Sequence, residues 1–184
     1  MRFEFDPATM EPRHPSALPV TVLIGRFQPF HRGHARLISD CQSNNQRPVL
    51  ACVHSGGKRN PFSRETIEQL VAWTKIPILF FEVGYIPLIV SELRRMDAEV
   101  HRVVCGPDRL DTYTKQLARE NAKIADDRKV IATISSPEKR FFDVSGTQVR
   151  KLLEDGSYDE FKNCMPQICH YDYHKMRSEL LASK

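Results

Sequence analysis

The 184-residue chain has no apolar stretch that approaches the ~20 residues of a membrane-spanning helix, so a membrane protein is not expected. It also lacks a dense block of lysine and arginine, and its 27 basic and 23 acidic residues give a net charge of only +4. Such a mild charge suits a polyanionic small substrate, whereas binding to a nucleic-acid duplex is typical of chains with a basic block. We therefore expect a nucleotide ligand and no nucleic-acid partner.

The five cysteines contain no Cys-x-x-Cys pair, and their number is odd. The first residues include acidic side chains and no long apolar segment, so they do not resemble a secretion signal. These features predict reduced thiols in a cytoplasmic protein without disulfides. A zinc site is suggested by Cys164, Cys169, His170 and His174, but without a Cys-x-x-Cys knuckle ordinary helix residues are favoured.

The composition, with 41% hydrophobic and 27% charged residues, is typical of one globular domain. Residues 1–18 carry three prolines and little apolar periodicity, which predicts an extended arm before a domain at 19–184. Trp73 is predicted to lie in the core beside Leu70. Within the domain, strands are predicted at 20–24, 48–53, 76–81, 100–105 and 128–133, with helical segments between them. This alternation predicts an α/β fold, a Rossmann-like doubly wound parallel sheet of about five strands followed by C-terminal helices.

A polar segment, Gly25-Arg-Phe-Gln-Pro-Phe-His-Arg-Gly-His34, follows the first predicted strand and leads into a helix. Gly25 is expected to let the backbone turn sharply where a ligand approaches. The free N–H groups of the helix start face this turn, and Arg26, His31 and His34 add side chains that donate hydrogen bonds to phosphate. Surface histidines at a helix start are the alternative, but the position after a buried strand favours a phosphate site.

A second loop, at residues 54–65, follows the next predicted strand. Two glycines free its backbone, Lys58 and Arg59 supply positive charge, and Ser63 is predicted to cap the helix that follows. Because the carboxyl ends of parallel strands meet at one edge of the sheet, this loop is expected to face the same crevice as the first motif. A flexible basic loop is the alternative.

Two later segments carry further candidate residues. Asp108, just past the fourth predicted strand, is expected either to bind a ribose or to cap the following helix. Ser145 or Thr147 is predicted to begin another helix, and Arg150 lies on the same side of its first turn as Thr147. The hydroxyl, the backbone N–H groups and the guanidinium are therefore expected to converge on a polyphosphate.

Three of these segments resemble the HxGH nucleotidyltransferase superfamily. Residues 25–34 are similar to its first signature, and Ser-Gly-Thr-Gln-Val-Arg at 145–150 resembles its second, Ser-x-Thr-x-x-Arg. Arg26 with Gln28, and Asn60-Pro61-Phe62, resemble the archaeal-type nicotinamide mononucleotide adenylyltransferases, from which the loop at 106–109 differs. The absence of a Lys-Met-Ser-Lys-type motif and the small size argue against an aminoacyl-tRNA synthetase.

The resemblance implies an enzyme that transfers AMP from ATP to nicotinamide mononucleotide, with Mg²⁺ held mainly by phosphates and water and no metal ligand from the protein. The catalytic residues that it implies are His31, His34, Lys58 and Arg150. The ATP-binding residues that it implies are Gly25, Arg26, Phe27, Gly33, Asp108, Ser145, Thr147 and Arg150. The acceptor-binding residues that it implies are Arg26, Gln28 and Asn60. Whether the chain forms a homo-oligomer stays open.

Two other functions stay open as well. One is a nucleotidyltransferase of the same fold that uses phosphopantetheine, flavin mononucleotide or, with CTP, an alcohol phosphate as the acceptor. The other is a nucleotide-binding regulator that keeps the pocket without the reaction. A regulator has no need for both histidines together with Lys58, Thr147 and Arg150, so an enzyme is favoured.

Overall fold

A computed structural model describes residues 20–57, 60–98, 100–123, 133–135 and 143–184. The strands are β1 (Val20–Gly25), β2 (Arg47–Val53), β3 (Ile78–Phe81), β4 (Val100–Val104) and β5 (Thr133–Ser135). The helices are α1 (Arg32–Ser43), α2 (Arg64–Ala72), α3 (Ile86–Arg95), α4 (Leu110–Asn121), α5 (Gly146–Asp155), α6 (Tyr158–Cys164) and α7 (Tyr173–Ala182). The predicted arm at 1–18 and Lys58 lie outside the described residues.

The five strands form one parallel sheet in the order β3-β2-β1-β4-β5. The chain moves outward from β1 through β2 to β3 and then returns to place β4 on the other side of β1. This return creates a topological switch point between β1 and β4, and ligands of such sheets bind at the carboxyl ends of the strands there. The predicted α/β class, the doubly wound topology and the strand number are confirmed.

Both faces of the sheet are covered by helices because successive side chains of a strand point in opposite directions. Leu23 and Leu50 point to the face covered by α1, α2 and the C-terminal helices α5 to α7. Val22 and Ala51 point to the face covered by α3 and α4. The central strands β1 and β2 are therefore apolar on both sides, which explains why they occur in the sequence as continuous β-branched and aliphatic runs.

Two helix starts follow the capping chemistry predicted from the sequence. The Ser63 hydroxyl accepts a hydrogen bond from the Thr66 backbone N–H at 3.2 Å, one turn into α2. The Ser145 hydroxyl accepts one from the Gln148 backbone N–H, also at 3.2 Å, so Ser145 rather than Thr147 caps α5.

Two local predictions differ from the structure. Trp73 is not a core residue: its side chain is 40% exposed because α2 ends at this point, and its indole N–H donates to the Leu70 carbonyl at 3.0 Å. The fifth strand, predicted at 128–133, is described at Thr133–Ser135, so only Thr133 is shared; residues 128–132 lie outside the described part of the chain.

No helix in the described ranges is both long and apolar enough to cross a membrane. The same residues contain no group of three or more metal-ligating side chains. The ring of His170 instead contacts the backbone carbonyls of Lys162 and Met165, at 3.1 and 3.3 Å. Cys164 and Cys169, which the sequence places near this histidine, are both buried free thiols.

Candidate active site

A cleft of about 340 Å³ opens at the switch point, and we call it the switch-point cleft. Its walls come from the loop after β1 with the first turns of α1, from the end of β4 with the loop that follows, and from the start of α5. The lining residues that the sequence predicted for a nucleotide site are Arg26, Phe27, Gln28, His31, Gly33, His34, Ser145, Thr147 and Arg150. The two signature segments, distant in sequence, therefore meet in one cavity.

The turn after β1 is made by Phe27 and not, as predicted, by Gly25. Gly25 is the last residue of β1 and pairs with Cys52 of β2, whereas Phe27 has a φ of +52°, in the left-handed region. The buried Phe27 ring folds back over Gly25, where a Cβ would lie 3.4 Å from the ring. A glycine is suited to this position because the ring needs the space, and Gly25 does not line the cleft.

The two histidines of the first signature lie against each other at the start of α1. Their rings stack with centroids 3.8 Å apart, and the His31 backbone N–H donates to Nδ1 of His34 at 3.3 Å. Because Nδ1 accepts this bond, the neutral His34 ring carries its proton on Nε2. Burial, followed by the charge of His31, holds the pKa of His34 well below its ordinary value of 6.5. His34 is therefore a neutral donor near neutral pH.

Arg150 reaches from α5 to the loop after β1. Its guanidinium donates to the backbone carbonyl of Gln28 and, at 3.1 Å, to the hydroxyl of Thr147. Burial, and next the positive charge of Arg26, lower the pKa of Arg150. Two guanidinium groups thus line the same cleft closely enough to repel each other, an arrangement that a bound polyanion would relieve.

The start of α5 packs against the loop after β1 at van der Waals distance. A Cβ at Gly146 would lie 2.7 Å from the carbonyl oxygen of Gln28, so a side chain at this position would separate the two segments. The contact brings the first turns of α1 and α5 to the same cleft. The positive dipole ends of two helices therefore favour an anion there.

Gln28 and Asn60, the two amide residues that the resemblance implies for acceptor binding, both contact the loop after β2. The buried Gln28 side chain donates to the Phe62 carbonyl at 3.2 Å and accepts from the Phe62 N–H at 2.9 Å. Asn60 is buried, donates to the Ser55 hydroxyl and the Gly56 carbonyl, and does not line the cleft. The Gln28 amide therefore joins two loops, and the Asn60 amide nitrogen holds its own loop, whereas Oδ1 of Asn60 is buried without a hydrogen-bond partner.

Asp108 does not cap α4, which begins at Leu110 without a side-chain cap. Its exposed carboxylate lies over Gly106, where an added Cβ would be 2.7 Å from Oδ1 of Asp108. The other carboxylate oxygen, Oδ2, lies 3.6 Å from Nε of Arg109. Gly106 and Pro107 line the cleft. The carboxylate therefore stands beside the cleft, and of the two alternatives only ribose binding stays as a prediction.

The apolar part of the cleft could not be predicted from the motifs; it includes Leu23, Ile24, Pro29, Leu37, Val104, Cys105 and Val144. The position of Cys105 at the end of a central parallel strand was the signal available for it. Burial, and next the charge of Asp108, raise the pKa of its thiol to about 11. Cys105 is therefore a protonated, apolar wall residue near neutral pH and not a nucleophile.

The chain combines an α/β fold with a cleft at the switch point of its parallel sheet. No protein-family model matches the chain. Over 152 residues it is 26% identical to a phosphopantetheine adenylyltransferase of Aromatoleum aromaticum, a match that covers 81% of this chain and 90% of that protein.

The solved structures of similar fold include the following three. The nicotinic acid mononucleotide adenylyltransferase of Plasmodium falciparum, complexed with NaAD, has a TM-score of 0.61 at 13% identity, with 91% of this chain and 99% of that chain covered. A bifunctional NMN adenylyltransferase/ADP ribose pyrophosphatase of Francisella tularensis, complexed with AMP and manganese, has a TM-score of 0.58 at 15% identity, with 90% and 52% covered. Thermotoga maritima TmcAL, bound with alpha-thio ATP, has a TM-score of 0.53 at 13% identity, with 90% of this chain and 56% of that chain covered. The chain spans about half of these last two proteins and shares the fold of all three.

Proposed function

We propose that this chain transfers AMP from ATP to the phosphate of nicotinamide mononucleotide, which yields NAD and pyrophosphate. The observation that carries the proposal is the convergence of Arg26, Arg150, the neutral donor His34 and two helix starts on one cleft. The resemblance of both signature segments and the similarity to adenylyltransferases support the same reaction.

The proposed reaction needs no covalent bond between the protein and a substrate. An oxygen of the acceptor phosphate attacks the α-phosphorus of ATP, the bond from that phosphorus to the β-phosphate oxygen breaks, and pyrophosphate leaves in line. The acceptor phosphate is already anionic near neutral pH, so a general base would add little. The barrier is lowered by positioning and by neutralising the charge that develops on the α-phosphate and the leaving group.

The described residues that are proposed to do this work lie on two of the cleft walls, those formed by α1 and by α5. On the α1 wall, Nε2–H of His34 is proposed to donate to the α-phosphate, and the Gly33 backbone to approach the phosphates closely. On the α5 wall, Arg150, the Thr147 hydroxyl and the backbone N–H groups after Ser145 are proposed to hold the β- and γ-phosphates. Adenylyl transfer thus uses donors that the fold has already oriented.

Other roles are proposed from the resemblance. Lys58 is proposed to bridge the acceptor and ATP phosphates, Asp108 to accept hydrogen bonds from the ATP ribose, and Arg26 to bind the acceptor phosphate. A divalent metal would neutralise phosphate charge; the described residues offer no group of three or more metal-ligating side chains, so it would be held mainly by phosphates and water. The manganese and AMP in the Francisella structure are consistent with a metal of this kind.

Phosphopantetheine is a second candidate acceptor because the chain is 26% identical to a phosphopantetheine adenylyltransferase. It presents the same kind of terminal phosphate, so the same cleft would serve both reactions. The two candidates differ in what lies behind the phosphate: a ribose and a flat cationic ring in one case and a flexible amide chain in the other. The resemblance of Arg26, Gln28 and Asn60 to nicotinamide mononucleotide enzymes favours the first.

Product analysis tests the proposal. The purified chain is incubated with ATP or CTP, a divalent metal, and one acceptor at a time, and products are separated by chromatography. The acceptors are nicotinamide mononucleotide, nicotinate mononucleotide, phosphopantetheine, flavin mononucleotide and an alcohol phosphate. We expect NAD and pyrophosphate from ATP with nicotinamide mononucleotide, and no product from CTP. Release of pyrophosphate with phosphopantetheine but not with nicotinamide mononucleotide would overturn the proposed acceptor. No release of pyrophosphate with any pair of nucleotide and acceptor would overturn the proposal that the chain is a nucleotidyltransferase.

A further inference from the structure

The short segment Phe62–Ser63, between the loop after β2 and helix α2, is held from two directions. On the cleft side, the Gln28 side chain pairs with both backbone groups of Phe62. On the opposite side, the Glu179 carboxylate of α7 accepts from the Ser63 backbone N–H and from the Ser63 hydroxyl, each at 3.1 Å. The Thr66 hydroxyl donates to the same carboxylate at 2.6 Å. Glu179 thus receives three hydrogen bonds at the start of α2.

Helix α7 also contacts α5, the helix whose first turn lines the cleft. The Arg177 side chain donates from Nε to the Leu153 carbonyl of α5 at 2.9 Å, and α5 carries Arg150 in its first turns. On its inner side α7 is fixed by Met176 and Leu180, which are buried in the core that covers this face of the sheet. The helix therefore braces α2 and α5 against each other without lining the cleft itself.

We infer that Glu179 is a positioning residue for the switch-point cleft, an inference that rests on the proposed function of that cleft. Its carboxylate fixes Ser63 and hence the adjoining Phe62, to whose backbone groups the Gln28 side chain is bonded. The Gln28 backbone carbonyl in turn receives the Arg150 guanidinium. Three contacts, joined by the peptide bond between Phe62 and Ser63 and by Gln28 itself, thus link the last helix to the arginine that is proposed to bind phosphate.

The exposure of Ser63 determines what loss of Glu179 would do. Ser63 is exposed, so water can replace the carboxylate on its N–H and hydroxyl, but Thr66 is buried and its hydroxyl would lose the acceptor that it now has at 2.6 Å. Water does not fix the direction of these groups as a carboxylate anchored on a packed helix does. Removing Glu179 is therefore expected to loosen Phe62–Ser63 and to weaken ligand binding, and the bond lost at Thr66 is expected to lower the free energy of unfolding as well.

Two measurements on the full chain test the inference. Amide hydrogen exchange reports the fixation of Phe62 and Ser63, and calorimetry reports the dissociation constant of ATP without an acceptor, at a temperature where circular dichroism shows every variant folded. The variants are Glu179→Ala, the isosteric Glu179→Gln, and the control Glu68→Gln, which removes an exposed carboxylate from α2 itself. In Glu179→Gln one oxygen still accepts from the hydroxyl groups, but an amide nitrogen faces the Ser63 N–H.

We expect Glu179→Ala to speed exchange at Phe62 and Ser63 and to weaken ATP binding by roughly threefold to thirtyfold, the range of couplings carried through such contacts. Glu179→Gln is expected to lie between Ala and the native chain, and Glu68→Gln to match the native chain. Unchanged exchange, or faster exchange with native ATP affinity, would overturn the inference. A native chain that binds no ATP would overturn the proposed function, and its exchange data would still decide whether Glu179 holds the segment.

Discussion

The backbone carbonyl of Gln28 accepts a hydrogen bond from the guanidinium of Arg150, although 122 residues separate them in sequence. The side chain of the same glutamine pairs with both backbone groups of Phe62. One buried residue therefore joins the loops after β1 and β2 to the first turns of α5. Because two of these three segments line the cleft, its shape depends on their mutual contacts as well as on the residues that would touch a nucleotide.

His34 is expected to contribute directly to turnover. His34→Ala should lower kcat by roughly a hundredfold or more, because a preorganised donor to developing charge contributes about 2.7–4 kcal/mol. His34→Gln provides the matched control: a glutamine at this helix position can still accept from the backbone N–H of His31, as Nδ1 does now, but it removes the imidazole donor. Steady-state kinetics and thermal unfolding are measured on both variants. A loss below about fivefold with native stability would remove His34 from the chemistry.

Arg150 is expected to act both before and during transfer. Arg150→Ala should raise the KM for ATP by roughly tenfold and also lower kcat, since the guanidinium is proposed to hold phosphates in the ground state and the transition state. Arg150→Lys should restore activity only in part, because a single ammonium cannot serve Gln28, Thr147 and a phosphate as a planar fork does. Lys151→Ala, an exposed cation on the same helix, is the control. Native ATP affinity in Arg150→Ala would show that the second signature is structural here.

Gly146→Ala is expected to destabilise the protein although alanine favours helices over glycine. The added Cβ would lie 2.7 Å from the Gln28 carbonyl oxygen and would push α5 away from the loop after β1. Crowding of this kind typically costs about 1–3 kcal/mol, which exceeds the gain in helix propensity of about 1 kcal/mol. Urea unfolding measures the change, with Gln148→Ala at an exposed site of the same helix as control. A more stable Gly146→Ala would contradict the close packing.

The sequence was informative where local chemistry decides the structure. The apolar run that forms β1 and the hydroxyl caps at Ser63 and Ser145 follow from side-chain type and spacing, so these elements were predicted correctly. The alternation of strands and helices predicted a doubly wound parallel sheet, and the strand order in the structure brings both signatures to one edge of that sheet.

The features that the sequence did not predict depend on contacts between residues that are distant in the chain. A glutamine in a polar loop has the same composition whether it binds a ligand or a backbone, so the pairing of Gln28 with Phe62 could not be read from sequence. The bond from Ser63 to Glu179 spans 116 residues and has no local signal. Trp73 lies in an apolar helix pattern, but the pattern does not reveal that the helix ends at the surface there.

The low pKa of His34 also predicts how stability changes with pH. Burial and the charge of His31 hold that pKa well below the ordinary value of 6.5, which the ring regains in the unfolded chain. Between these two values the unfolded state binds more protons than the folded state, so stability rises with pH in this window. The contribution of His34 is therefore complete above pH 6.5 and is lost as the pH falls through the folded pKa.

Urea unfolding between about pH 7 and about pH 5 tests this linkage. The free energy of unfolding of the native chain should fall more steeply toward acid than that of His34→Gln, because the variant has no ring to protonate on unfolding. Gln148→Ala, at an exposed position on α5, removes no titratable group and should keep the native slope. Equal slopes for the native chain and His34→Gln would mean that His34 titrates alike in both states, and it would then carry a positive charge in the cleft under mildly acidic conditions.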